Sequence, residues 1–225
     1  MEIFKILSVL LCYPEKELID DLSDIRLHLA TSVEQNKWDI QLLEPLLEKL
    51  ATEDLVTLQE DYVQTFDRNP RMSLHLFEHI YGEDRMRGSA LVELLEEYRE
   101  AGVDLQASDE LPDFLPLFLE FLSLCEEKQA FDLLSASIDV VATIGKKLKS
   151  EESVYAGIFD LLVEISPTAP LPLITPPVRD MDEAMAKFGP NSEGLEPLLQ
   201  PNAVCATCSS NTLDKNRGIE NALPR

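Results

Sequence analysis

The sequence predicts an all-α protein, a single helical bundle followed by a Pro-rich tail. Three observations carry this. Apolar residues recur at the three- and four-residue spacing of a helix face from the start of the chain to Ile165. Sustained period-two alternation of β-branched residues, the mark of half-buried strands, is nowhere found. At Ser166 the composition changes, and Pro167, Pro170, Pro172, Pro176, Pro177, Pro190, Pro197 and Pro201 crowd the last quarter.

The elements follow in order. Ile3, Phe4, Leu7 and Leu11 make a first stripe that Pro14 ends, because a proline ring and its missing N–H stop a helix. Leu18, Leu22, Ile25 and Leu29 make a second. Leu42, Leu43, Leu46, Leu47 and Leu50 make a third, with Pro45 marking a start or a kink. Leu55, Leu58, Tyr62 and Phe66 form a fourth, closed by Asn69 and Pro70. Ser73 is an N-cap for a helix that Gly82 terminates, and Asp84 caps the next, which carries Leu91, Leu94, Leu95 and Tyr98 up to Gly102. Leu111 to Leu122 has apolar residues on every side and reads as the central buried helix. Two long amphipathic runs follow, Phe131 to Leu148 and Val154 to Ile165. Residues 1–166 are thus the folded domain. Residues 167–225 bury too little apolar surface to offset their ordering entropy and read as a flexible tail, with a short helix around Asp182 to Phe188.

Composition narrows the function. Among 225 residues, 42 carboxylates face 19 basic side chains, for a formal charge of -23, and most of that excess lies before the tail. Nucleic acid needs clustered cations and is excluded as a partner; a basic polypeptide fits better, although acidity also serves solubility alone. No stretch is long and apolar enough for membrane insertion. Ile3 to Cys12 looks faintly like a secretory leader, but Glu2 stands where basic residues belong and the apolar run is short. Cys12, Cys125, Cys205 and Cys208 do not make a disulfide framework for a chain able to build its own core, which favours the cytoplasm. Cys205 and Cys208 form a lone C-x-x-C pair, half a zinc site at most, and no cofactor is expected.

The most distinctive stretch runs from Pro70 to Gly88. His75, Glu78 and His79 match the H-x-x-E-H string of one zinc-peptidase class, with two imidazole ligands and a carboxylate base on one helical face. Three strings together point elsewhere: SLHLFEH at Ser73 to His79, G-x-D-R-x-R-G at Gly82 to Gly88 with Arg85, Arg87 and Gly88, and LPDFLPLFLEFL at Leu111 to Leu122 with Asp113 and Glu120. In this order and spacing the chain resembles the respiratory nitrate reductase assembly chaperones, the NarJ-type or delta-subunit family, related to the TorD-like helical chaperones. The resemblance covers most of the body, from about Leu10 to Leu122.

That resemblance implies an all-helical cytoplasmic chaperone; the chain has no nucleophile constellation, phosphate-cradling glycine loop or dinucleotide fingerprint, so a non-enzyme is expected, and a monomer. It would bind the N-terminal segment of the nitrate reductase catalytic (alpha) subunit and keep it competent for molybdenum cofactor insertion before membrane attachment. It also implies a client groove near the motif helices, for which Tyr62, Phe66, Leu74, Phe77, Phe114 and Phe118 are the candidates, each with an ordinary core role as the alternative. Glu120 is the one charge between Phe114 and Leu124. If its helix is buried it needs a partner, and Arg85, Arg87 or a motif histidine would lock two helices through it. For the histidines the competing roles are hydrogen bonding at helix ends and a response to pH. A general helical adaptor also fits the composition, but leaves the three strings unexplained.

Overall fold

The structure is a computed structural model, and it describes residues 1–36, 38–82, 86–103 and 110–173. Its helices are α1 (Glu2–Leu10), α2 (Lys16–Asp20), α3 (Leu22–Asn36), α4 (Glu44–Thr52), α5 (Leu55–Tyr62), α6 (Leu76–Tyr81), α7 (Met86–Glu100), α8 (Leu115–Leu124), α9 (Glu127–Ser150) and α10 (Ala156–Ile165). Among the described residues the β pairing is limited to an isolated antiparallel bridge between His75 and Phe114. The fold is all-α.

Local chemistry sets several boundaries. Asp54 opens α5 by accepting the Val56 and Thr57 amides, each at 3.1 Å, donors that a first turn would otherwise leave unpaired. A single π-helical turn, Val63–Asp67, then prolongs α5 and carries Phe66. Prolines stand in the first turns of α4 and α8, where their missing N–H costs nothing. Gly82 ends α6 with φ +58, a backbone state that side chains with a Cβ rarely adopt.

One apolar core joins the helices. Helix α1 lies along α8, α9 along α10, and α10 also rests on the 3₁₀ turn Ile40–Leu43. Phe4 and Leu7 of α1, Leu119 and Leu122 of α8, Leu134 and Val141 of α9, and Phe159 and Leu162 of α10 are buried in it. Each such side chain contributes roughly 1.5–3 kcal/mol, so burial of these stripes, more than helix propensity, holds the bundle. Polar ties fix α1 on α8: the Met1 amine donates to the Ser123 carbonyl at 2.6 Å and Ser8 Oγ to that of Pro116 at 2.7 Å. Helix α10 approaches the Ile40–Leu43 turn so closely that a Cβ at Gly157 would overlap the Leu42 carbonyl.

Several sequence expectations change. The second stripe is divided, because the chain turns at Asp21 between α2 and α3. Ser73 does not cap the histidine helix. That helix starts at Leu76 with His75 at its N-cap, because residues 74–76 pair with residues 113–115: the Leu76 amide donates to the Asp113 carbonyl at 3.0 Å and that of Leu115 to the Leu74 carbonyl at 2.8 Å. The same pairing delays α8 to Leu115. Glu120, expected to be buried and paired, is exposed, because α8 turns one side to solvent and ends at the exposed Leu124. The buried carboxylate of this region is Asp113.

Helix α10 ends at Ile165, and the irregular stretch after it stays against the body: the Leu171 amide donates to Asp139 Oδ1 at 2.7 Å, and Leu173 packs on the core. The Asp84 cap, Arg85, the tail from residue 174, the helix expected near Asp182 to Phe188, and Cys205 and Cys208 lie outside the described residues. No helix of the described part is long and apolar enough to cross a membrane.

Candidate functional site

Asp113 organises the motif segments. Fully buried at the mouth of α8, it reaches across to the start of α6, where its Oδ2 accepts the Phe77 amide at 3.0 Å and its Oδ1 lies 3.3 Å from His75 Nδ1. A carboxylate placed on unpaired amides at a helix N-terminus is favoured by both hydrogen bonding and the helix dipole. The hydrogen bond that His75 Nδ1 donates to Asp113 raises His75 above the ordinary imidazole value; partial burial and the Arg87 charge oppose it, and the negative charges of Asp113 and Glu78 add to it. The His75 ring also rests against Phe114, centroids 5.3 Å apart.

The other motif residues disperse from there. His79 is fully buried and its Nε2 meets the Ser73 carbonyl at 2.8 Å, while Glu78 pairs with Arg87 Nη2 at 3.2 Å. His75, Glu78 and His79 thus have three different partners and do not converge on one point. Among the described residues no group of three or more His, Cys, Asp or Glu is placed to hold a metal ion. Gly88 is exposed in α7, and nothing near it would obstruct a side chain. The Cys12 thiol, exposed after α1, donates to the Ser8 carbonyl at 3.4 Å.

The six groove candidates fall into separate neighbourhoods. Tyr62 and Phe66 are buried in an aromatic cluster with Tyr155, ring centroids 5.0 Å between Tyr62 and Phe66 and 4.9 Å between Phe66 and Tyr155. The Tyr62 hydroxyl donates to the Leu11 carbonyl at 3.0 Å, tying α5 to the end of α1. Leu74 is buried within the pairing with Leu115, and Phe114 is half-buried beside His75. Phe77 and Phe118 come together on one surface feature, an open apolar cleft of about 240 Å³ between α6, α7, α8 and α9.

That cleft has Phe77 and Ile80 on one side, Phe118 beneath, and Leu133, Ala136 and Val140 of α9 on the other. Ala90 of α7 lies on its lining too, and Glu93 and Glu97 stand exposed at its rim. Small side chains at Ala90, Ala136 and Ser137 leave the space between the facing helices unfilled. Sequence reasoning missed α7 and α9 as walls. The available signal was alanine and serine at helix-facing positions among larger apolar residues.

Two of the three distinctive segments, through Phe77 and Phe118, thus border an open apolar cleft on an all-α bundle. The nitrate reductase delta subunit family matches residues 34–159, and the chain belongs to that family. It is 39% identical over 164 residues to the nitrate reductase molybdenum cofactor assembly chaperone NarJ of Escherichia coli K12, covering 73% of this chain and 69% of that protein. It is also 35% identical to the probable chaperone NarW of the same strain, covering 74% of this chain and 68% of that one. The probable NarJ of Bacillus subtilis is 32% identical, with coverage of 71% and 85%.

Proposed function

We propose that this chain is a system-specific maturation chaperone, without catalytic chemistry of its own, for a molybdenum-containing nitrate reductase. As a cytoplasmic monomer it binds the N-terminal segment of the immature catalytic subunit and holds that subunit ready for cofactor insertion before membrane attachment. The molybdenum cofactor is the client's cargo, and nothing in the reading requires this chain to touch it.

The observation that carries the proposal is the α6–α9 cleft. An amphipathic peptide helix needs a groove that accepts apolar side chains three and four residues apart, and it needs no free sheet edge. Phe77 and Phe118, in two of the segments that resemble the family's motifs, line such a groove together with Ile80 and Val140. Each apolar anchor buried there contributes roughly 1.5–3 kcal/mol, against about 0–1 kcal/mol for an exposed ion pair. Affinity therefore rests on the apolar anchors, while Glu93, Glu97 and the acidic body speed the approach of a basic segment. Ordering the peptide opposes binding, which keeps affinity moderate and lets the client leave.

The test is calorimetric titration with a synthetic N-terminal peptide of the catalytic subunit, using wild type and Ala136→Trp. Ala136 is exposed and lines the cleft, so the indole fills the groove without entering the core. Loss of binding at unchanged thermal stability is expected. Undiminished binding to a folded Ala136→Trp would reject this cleft as the client site.

A further inference from the structure

A second groove, which shares no residue with the α6–α9 cleft, runs between α1, the turn after it, α2 and α3 and has a volume of about 550 Å³. Its floor is apolar: Ile6 and Leu18 are buried, Ile25 half-buried, while Val9 and Tyr13 stay 38% and 44% exposed. Its rim is acidic. Glu15, Glu17, Asp21 and Asp24 line it, and among the described residues none of the four has a basic side chain within ion-pair distance. The basic side chains on the lining are Lys5 and His28, and His28 Nδ1 is already 2.6 Å from Glu2 Oε1.

We propose that this groove docks a cationic amphipathic helix of a partner polypeptide, separately from the client segment in the α6–α9 cleft. Unpaired carboxylates around an apolar floor repel one another, and an occupant that brings apolar anchors flanked by Lys or Arg relieves the repulsion while covering Val9 and Tyr13. An anionic membrane surface meets the same carboxylates and is repelled. An extended strand finds no free backbone edge between helices, whereas a helix docks through side chains alone. The inference stands on α1–α3 and does not depend on which segment fills the other cleft.

The probe is a synthetic helix of about 18 residues, five turns, with a leucine face flanked by lysines, titrated by fluorescence anisotropy at about 150 mM salt, where diffuse attraction is screened within about 8 Å. Reversing two rim charges, Glu17→Lys with Asp24→Lys, is expected to weaken binding at least tenfold. The equal reversal Glu48→Lys with Glu53→Lys, at exposed positions in and just after α4, is expected to change it less than twofold. Val9→Ser is expected to weaken it at least fivefold, all of these changes being made in an Ala136→Trp background so that the other cleft, which suits a helix of the same kind, is filled. Equal losses from both reversals, or none from the rim pair, would reduce the effect to bulk charge and overturn the inference. Loss of binding in the Ala136→Trp background itself would place the probe in the other cleft and overturn it too, leaving the client reading intact.

Discussion

Replacing Asp113 by Ala removes the carboxylate that joins the start of α6 to the start of α8. Two interactions go with it. The Phe77 amide loses its 3.0 Å acceptor in a part-buried setting, and His75 loses the partner that raises its imidazole. A missing cap costs about 0.5–2 kcal/mol and a buried donor left unpaired about 1–3 kcal/mol, so a combined loss of about 2–4 kcal/mol is expected. In a domain of this size, that lowers Tm by about 5–15 °C. The loss depends on pH with a definite sign. Because His75 titrates higher folded than unfolded, its pairing contributes fully below about pH 6.5, the ordinary imidazole value, and fades as pH rises through the higher folded value. Urea unfolding of wild type and Asp113→Ala between pH 5.5 and 8.5 should therefore show the larger gap at the acid end, with a residual gap at pH 8.5 from the Phe77 amide. A loss under about 0.5 kcal/mol, or one independent of pH, would refute the reasoning.

Further outcomes follow from the packing. Gly157→Ala sets a methyl against the Leu42 carbonyl, and denaturant titration should show a loss of about 3 kcal/mol or more, because backbone cannot swing aside as a side-chain tip can. Glu120→Leu should leave the unfolding free energy from urea titration within about 0.5 kcal/mol of wild type, since the carboxylate is exposed. Phe66→Ala should cost about 3–5 kcal/mol through its cluster with Tyr62 and Tyr155. Phe77→Ala should cost only about 1–2 kcal/mol of stability but lower client-peptide affinity at least tenfold; the reverse ranking would exchange core and groove.

Helices whose apolar stripes face the core were legible residue by residue. Leu46, Leu47 and Leu50, or Leu134, Ile138 and Val141, sit at helical spacing, and burial follows the spacing. What the pattern concealed was nonlocal. The start of α6 is set by residues 113–115, far along the chain, so a serine two residues before the actual cap, His75, has the look of the cap. Local composition also misplaced the buried charge. Glu120 sits in the more apolar run, but exposure depends on which side of α8 the neighbours cover, and Asp113 is the carboxylate enclosed. Of the six groove candidates, Tyr62 and Phe66 lie in an aromatic core cluster, whereas Phe77 and Phe118 line the cleft. Large apolar residues look alike in sequence whether they fill a core or border a groove. The small residues that leave a groove open are the better sign, and they sit on helices distant in sequence.

Site-specific photo-cross-linking tests the central claim most directly. Ile80 is 39% exposed at the cleft, and a photoreactive residue in its place should capture the catalytic subunit only while that subunit keeps its N-terminal segment. The same residue at Val56, exposed and away from the cleft, should not. Capture of the N-terminal segment from Val56 or Val9 with none from Ile80 would contradict the account.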